Sequence, residues 1–254
     1  VLDAAGNESA DSTALTVTLD RTAPSWTSSA TPSVAEGGTA VLTLAAGGAD
    51  TYAIQGGADA ARFAVTGANL GFAAAPDFEA PADADTDNAY LVTLRATDLA
   101  GNTADQAMTV TVTDLNDPPT LTATAANPPF TEGGAAVALF TGATAGTVEA
   151  GQSFDRLTLT VGNLSGGSAE ILRVNGTEVP LVAAGSLDLG GGLSGAVALA
   201  SGTATVTLTH ATGLDAAALQ ALVEGLAYRH AGDALGASTR PVTITALRDT
   251  GADG

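Results

Sequence analysis

The sequence predicts an all-β fold: tandem antiparallel Greek-key β-sandwiches with one short helix in the last repeat. Three observations predict it. A domain-sized segment recurs, strand-like alternation of apolar and hydroxyl residues punctuates the chain, and the composition suits several thin sandwiches. Apolar residues make up 45% of the 254 residues while aromatics make up only 4%. Alanine, glycine, valine, leucine and threonine therefore carry the bulk, which fits two-layer packing better than one thick core.

The repeat is visible directly. Val34-Ala-Glu36-Gly-Gly-Thr-Ala-Val41 returns as Phe130-Thr-Glu132-Gly-Gly-Ala-Ala-Val137, about 96 residues later. A second pair has a similar offset: Asp3-Ala-Ala-Gly6-Asn7 leads to Thr16-Val-Thr-Leu19-Asp20, and Asp98-Leu-Ala-Gly101-Asn102 leads to Thr109-Val-Thr-Val112-Thr-Asp114. Each copy ends just before a proline, as the last strand of a sandwich would. The boundaries that follow are 1–24 as the C-terminal strand region of a preceding repeat, 25–119 as a complete repeat, and 120–254 as a larger one. Pro24, Pro118 and Pro119 mark junctions too short to act as flexible linkers.

Within the second repeat, Met108, Val110 and Val112 alternate with Thr109, Thr111 and Thr113, so one face is buried and one is wet. Tyr90, Val92 and Leu94 alternate in the same way. In the third repeat the pattern appears at Leu157, Leu159 and Val161, at Val206 and Leu208, and at Val242 and Ile244. Glycine and asparagine clusters separate these runs. The exception is Leu214 to Leu226, where Asp215 caps a helix start, Leu219, Leu222, Val223 and Leu226 follow helical spacing, and Gly225 ends the turn. The third repeat is expected to lack its last strand, because Arg248-Asp249-Thr-Gly-Ala-Asp253 reads as the turn before a strand that does not follow. Residues 1–24 would supply one, so head-to-tail self-association by strand donation is an expected possibility beside an arbitrary chain boundary.

Charge excludes several functions. The formal net charge is −19, from 27 acidic and 8 basic residues, and all eight basic residues are arginine. Nucleic acid is not an electrostatic partner for such a surface. The imbalance raises the expectation of bound divalent cations, although charge alone favours a merely soluble acidic surface. There is no cysteine, hence no disulfide or thiolate metal site. No run approaches the roughly 20 apolar residues of a membrane span, so direct membrane insertion is not expected. With neither signal peptide nor initiator methionine at Val1, the sequence reads as an excised piece of something longer.

The densest chemistry lies in the second repeat: Glu36 at its start, Pro76-Asp77-Phe78-Glu79 in its middle, and Asp114-Leu-Asn116-Asp117-Pro118 at its end. Acidic groups gathered without histidine or cysteine suit a hard cation, and calcium takes six to eight oxygens. With Tyr52-Ala-Ile, Asp59-Ala-Ala-Arg-Phe63 and Ala96-Thr-Asp98, this pattern resembles the bacterial cadherin-like repeats of giant calcium-binding adhesins, over about 95 residues. The resemblance implies immunoglobulin-like sandwiches and Ca²⁺ at the junction with the third repeat. It would put the carboxylates of Glu36, Asp77, Glu79, Asp114 and Asp117 around the ion, with Asn116 and the carbonyls of Leu115 and Pro118 as neutral ligands. From the following repeat it implies Glu149 and Asp249, with Thr147 standing where the family has an aspartate. At the first junction Asp20-Arg21-Thr22 replaces the acidic linker, leaving Asp50 and Asp98.

Asp83-Ala-Asp85-Thr-Asp87-Asn88 imitates the opening of an EF-hand loop. It lacks the glycine at the sixth position and has Leu94 where a closing glutamate belongs, so it reads as a solvated acidic loop, with Asp87 joining the nearby site as the alternative. The only histidines, His210 and His230, sit in no catalytic or metal motif, and the chain reads as a non-enzyme. The expected role is a structural extender in a large extracellular protein of the bacterial cell surface, rigidified by calcium, with neighbouring repeats as partners and no receptor legible. A carbohydrate- or ligand-binding sandwich is the competing reading, and an exposed Trp26 beside a polar groove would favour it.

Overall fold

A computed structural model of the chain describes residues 4–6, 16–17, 19–165, 167–232 and 239–251. The expected terminal strand at 16–20, the turn through Asp253 and any donated strand fall wholly or partly outside these residues. The chain divides into two compact units, Val1–Asp114 and Leu115–Gly254. Both are built from mainly antiparallel sheets, so the chain is a tandem array of β-sandwiches, as the alternation predicts. Among the described residues no helix is long and apolar enough to cross a membrane.

In the first unit one sheet runs in the spatial order Ser33–Ala35, Thr103–Thr113, Ala89–Thr97, Thr51–Gly56. The last three strands pair antiparallel, while the short first strand pairs parallel to the end of the unit's last strand, Ser33 with Thr111 and Ala35 with Thr113. The opposing sheet is Ala40–Thr43, Asn69–Phe72 and Phe63–Thr66. Period-two alternation turns Tyr90, Val92, Leu94, Met108, Val110 and Val112 inward against Leu44, Phe63, Leu70 and Phe72. Phe63, Phe72 and Tyr90 meet as an aromatic cluster, with stacked and edge-on rings. Trp26 belongs to this packing and not to a binding platform: it lies against Tyr52, and its indole N–H donates to the Ala104 carbonyl.

In the second unit a five-stranded antiparallel sheet runs Ala184–Asp188, Leu193–Ala200, Thr203–Leu214, Phe154–Val161, Val242–Asp249. A four-stranded sheet of Val137–Ala138, Ala227–His230, Glu170–Val174 and Thr177–Pro180 supplies other walls of the core, and the pair Thr120–Ala125 and Phe140–Gly146 completes the unit. The helix spans Ala216–Glu224, and Asp215 caps it by accepting from the Ala218 N–H at 2.7 Å. Leu219, Leu222 and Val223 are its buried residues. His230 is buried at the end of its strand with Nδ1 against the Gly232 carbonyl, a packing position.

The second unit also holds a buried ion pair. Glu170, fully buried, takes two hydrogen bonds from the Arg240 guanidinium, at 2.8 Å each, and one from the Tyr228 hydroxyl. Burial, reinforced by Glu170, pushes the Tyr228 phenol well above its ordinary range, and Glu170 raises Arg240. Buried pairs of this kind add little net stability, because the cost of desolvating both charges offsets their attraction.

Candidate metal centre

Each unit gathers part of the predicted ligand set at one end, and in each case the register of the strands does the gathering. In the first unit the parallel pairing of Ala35 with Thr113 places Glu36 beside the end of the last strand, where the Glu36 N–H donates to the Thr113 carbonyl at 3.0 Å. Asp114 follows immediately. The middle segment is tied to the same place, because the Gly37 N–H donates to the Pro76 carbonyl at 2.9 Å and the Phe78 N–H donates to Glu36 Oε2 at 2.7 Å. A Glu79 carboxylate oxygen consequently lies within 4.8 Å of one from Glu36 and of one from Asp114. Three segments that are far apart in sequence thus converge as carboxylates that repel one another without a cation. Asp77 Oδ1 accepts from the Ala80 N–H at 3.0 Å, which closes its own turn.

In the second unit Leu115, Asn116, Asp117 and Pro118 lie in an extended segment before the strand Thr120–Ala125. Leu115 is 43% exposed, so it has only its carbonyl to offer a cation. The Asp117 N–H donates to Glu149 Oε1 at 2.5 Å. Asp249 ends its strand paired to Phe154, and this brings it to the turn that carries Glu149. Its Oδ1 accepts from the Gly251 N–H at 3.0 Å and, more loosely, from the Asn116 amide at 3.5 Å. Gln152 completes the group by donating from Nε2 to Asn116 Oδ1 at 2.7 Å.

Three oxygens in this group are buried and receive no hydrogen bond: Glu149 Oε2, Gln152 Oε1 and Asp249 Oδ2. Asp249 itself is only 1% exposed. A buried acceptor left unsatisfied costs about 1–3 kcal/mol, and more when charged. Two carboxylate oxygens and one amide oxygen, on residues linked through Asn116 and Asp117, are hard donors of the kind calcium takes. Gly251 keeps the group tight: a Cβ there would fall 1.5 Å from Asn116 Oδ1 and 2.6 Å from Gln152 Nε2.

The sequence singled out Glu149 and Asp249 and not Gln152, an uncharged residue whose only signal is its place between Glu149 and a strand. At the first junction Asp98 has another role. Both its oxygens accept from Asn102, from the backbone N–H at 2.8 Å and the side-chain amide at 2.9 Å, and these bonds hold its carboxyl below the ordinary range. These bonds brace the turn Asp98–Asn102.

The fold is thus a tandem β-sandwich, and its acidic ends are suited to hard cations. No family profile matches the chain, and neither does any curated protein. Among solved structures it is similar to the extracellular cadherin domains 3-6 of protocadherin gamma B2, at 15% identity and a TM-score of 0.33, over 75% of this chain and 39% of that one. It is also similar to mouse cadherin-23 EC22-24, at 15% identity and a TM-score of 0.35 over 76% and 55%, and to human CDH23 EC21-23, at 14% and 0.34 over 73% and 62%. The chain spans less than two thirds of each of these structures. Likeness at this level says nothing of binding or activity, which rest on the residues themselves.

Proposed function

We propose that this chain is a calcium-binding extender of a large extracellular protein of the bacterial cell surface, a structural element of adhesion and not an enzyme. The observation that carries the reading is the set of three buried, undonated oxygens of Glu149, Gln152 and Asp249 beside Asp117. Glu149, Asp249, Gln152 and Asp117 are the residues that would hold calcium in the second unit, and Glu36, Glu79 and Asp114 are those in the first. Calcium supplies positive charge where the protein has only acceptors, so its binding free energy adds to the folding free energy of these ends. Asp114 and Asp117 are three residues apart, so cations at both sets would restrain the short connecting segment and stiffen the chain. Extracellular calcium modules bind at about 10⁻⁴–10⁻³ M, a range met outside the cell and not in the cytosol.

The test is small-angle scattering with millimolar calcium and again with excess chelator, alongside a melting curve. An elongated particle that melts higher with calcium and gains flexibility without it supports the extender. An unchanged profile and melting temperature would sink the metal assignment.

The second reading, a ligand-capturing sandwich, has a groove of about 1180 Å³ in the second unit, bordered by Phe130, Glu132, Asn163, Tyr228 and Arg240. Its strongest polar groups are already engaged inside the protein, Arg240 and Tyr228 both on Glu170. Phe130 packs edge-on against Tyr228. The groove therefore ranks behind the acidic ends as a functional site, and a glycan array that found a saturable ligand would reverse that order.

A further inference from the structure

The loop Asp83–Asn88 of the first unit is exposed at residues 84–87, as its composition suggests, but two buried side chains anchor its ends. Asp83 is 6% exposed and Asn88 is 9% exposed. Carboxylate oxygens of Asp83, Asp85 and Asp87 all lie within 4.8 Å of one another. Asp83 Oδ2 accepts from the Asp87 N–H at 2.9 Å, while Asp83 Oδ1 is buried and receives no hydrogen bond. Asn88 repeats the situation: its Nδ2 donates to the Phe78 carbonyl at 2.9 Å, and its Oδ1 is buried with no donor. Two side chains, each more than nine-tenths buried, thus leave an acceptor oxygen unsatisfied in one six-residue loop.

The surroundings fix this loop without supplying those donors. Asp59, 4% exposed, accepts from the Ala84 N–H and from the Leu91 N–H, at 2.7 Å each, and so pins both flanks. The Ala82 N–H donates to the Tyr90 hydroxyl at 3.0 Å, and Asp87 Oδ1 accepts from the Ala89 N–H at 2.8 Å. Asp59 is therefore committed to the backbone, and the residual acceptors belong to Asp83, Asp85, Asp87 and Asn88. An EF-hand loop uses positions one, three and five as ligands and needs glycine at position six for a sharp turn. Here the sixth position is Asn88, and it takes the left-handed conformation at φ +64° that the glycine would provide. Leu94, at position twelve, is fully buried in the core and cannot close the site as a glutamate does.

We propose that Asp83, Asp85 and Asp87, with Asn88, bind a divalent cation of the calcium class in the first unit, at a site separate from the acidic ends. Three carboxylates without a bidentate closing residue leave several positions to carbonyls and water, which puts the affinity in the weak range of about 10⁻⁴–10⁻³ M. Its role is to fix the loop that leads into the core strand Ala89–Thr97.

The test is a calcium chloride titration of the whole chain followed by backbone amide NMR. It is run on the natural sequence, on Glu149→Gln/Asp249→Asn, and on Asp85→Asn/Asp87→Asn, whose changed side chains are exposed. The amides of residues 83–88 are expected to shift saturably in the first two, and the third should bind about tenfold more weakly at those amides while the rest of its spectrum stays folded. Amides that stay still at about 10 mM calcium, or that move equally in the Asp85→Asn/Asp87→Asn chain, would overturn the site. Should that double variant not fold, Asp85→Asn alone replaces it, and the titration of the natural sequence still decides. Movement at 83–88 with none at Glu149 and Asp249 would remove the extender reading and leave this site standing.

Discussion

Asp249 concentrates the energetics of the proposed metal centre in one side chain. It is almost completely buried, one oxygen is held by the Gly251 N–H, and the other has no donor. A buried charge in this state destabilises the protein until a cation arrives. Asp249→Asn should therefore have opposite effects in two buffers. In chelator it is expected to melt at or above the natural chain, because the uncompensated charge is gone. In calcium it should lose most of the calcium-dependent gain, which for a site at a hundred times its dissociation constant is about 2.7 kcal/mol. Scanning calorimetry in both buffers checks this; equal destabilisation in each would mean that Asp249 is a purely structural residue.

At the scale of elements, the helix Ala216–Glu224 and the strand ends matter for different reasons. The helix covers part of the second core with Leu219, Leu222 and Val223, and Glu224 accepts from the Ala143 N–H at 3.0 Å. Its start depends on the exposed Asp215, so Asp215→Ala should cost about 1 kcal/mol in a denaturant melt and leave calcium binding unchanged. The strand ends carry the chemistry. Glu36 follows a three-residue strand that pairs parallel to the unit's last strand, and Asp249 closes a strand whose partner begins at Phe154. A one-residue slip in either register would turn the ligand to the opposite face. The ladders thus fix the sites as firmly as they fix the cores.

For the whole molecule the governing quantity is the charge of −19. Self-repulsion of this size acts against the compact state and is screened by salt as well as by bound cations. In chelator the melting temperature is expected to rise as sodium chloride goes from about 0.01 M to about 0.15 M, where the Debye length falls from roughly 30 to 8 Å. In saturating calcium the same change should have a smaller effect, because the densest acidic clusters are already neutralised. A salt response of equal size in both buffers would show that calcium leaves the acidic clusters uncompensated.

Periodicity by itself determined the all-β class, the strands at Ala89–Thr97, Thr103–Thr113, Phe154–Val161 and Val242–Asp249, and the capped helix, because each is a local pattern of period 2 or 3.6 with its stop signals alongside. Residue type by itself pointed to a hard cation, since clustered carboxylates without histidine or cysteine favour little else. Three things were decided only by the tertiary structure. Gln152 joins the proposed metal centre through a contact with Asn116, 36 positions away. Trp26 turns into the sandwich and donates to Ala104, across 78 positions. Asp83 and Asn88 are buried although their loop reads as polar, because Asp59, from a distant turn, pins both ends of that loop. Burial and hydrogen-bond satisfaction are properties of what the chain brings together across the fold, and no local pattern encodes them.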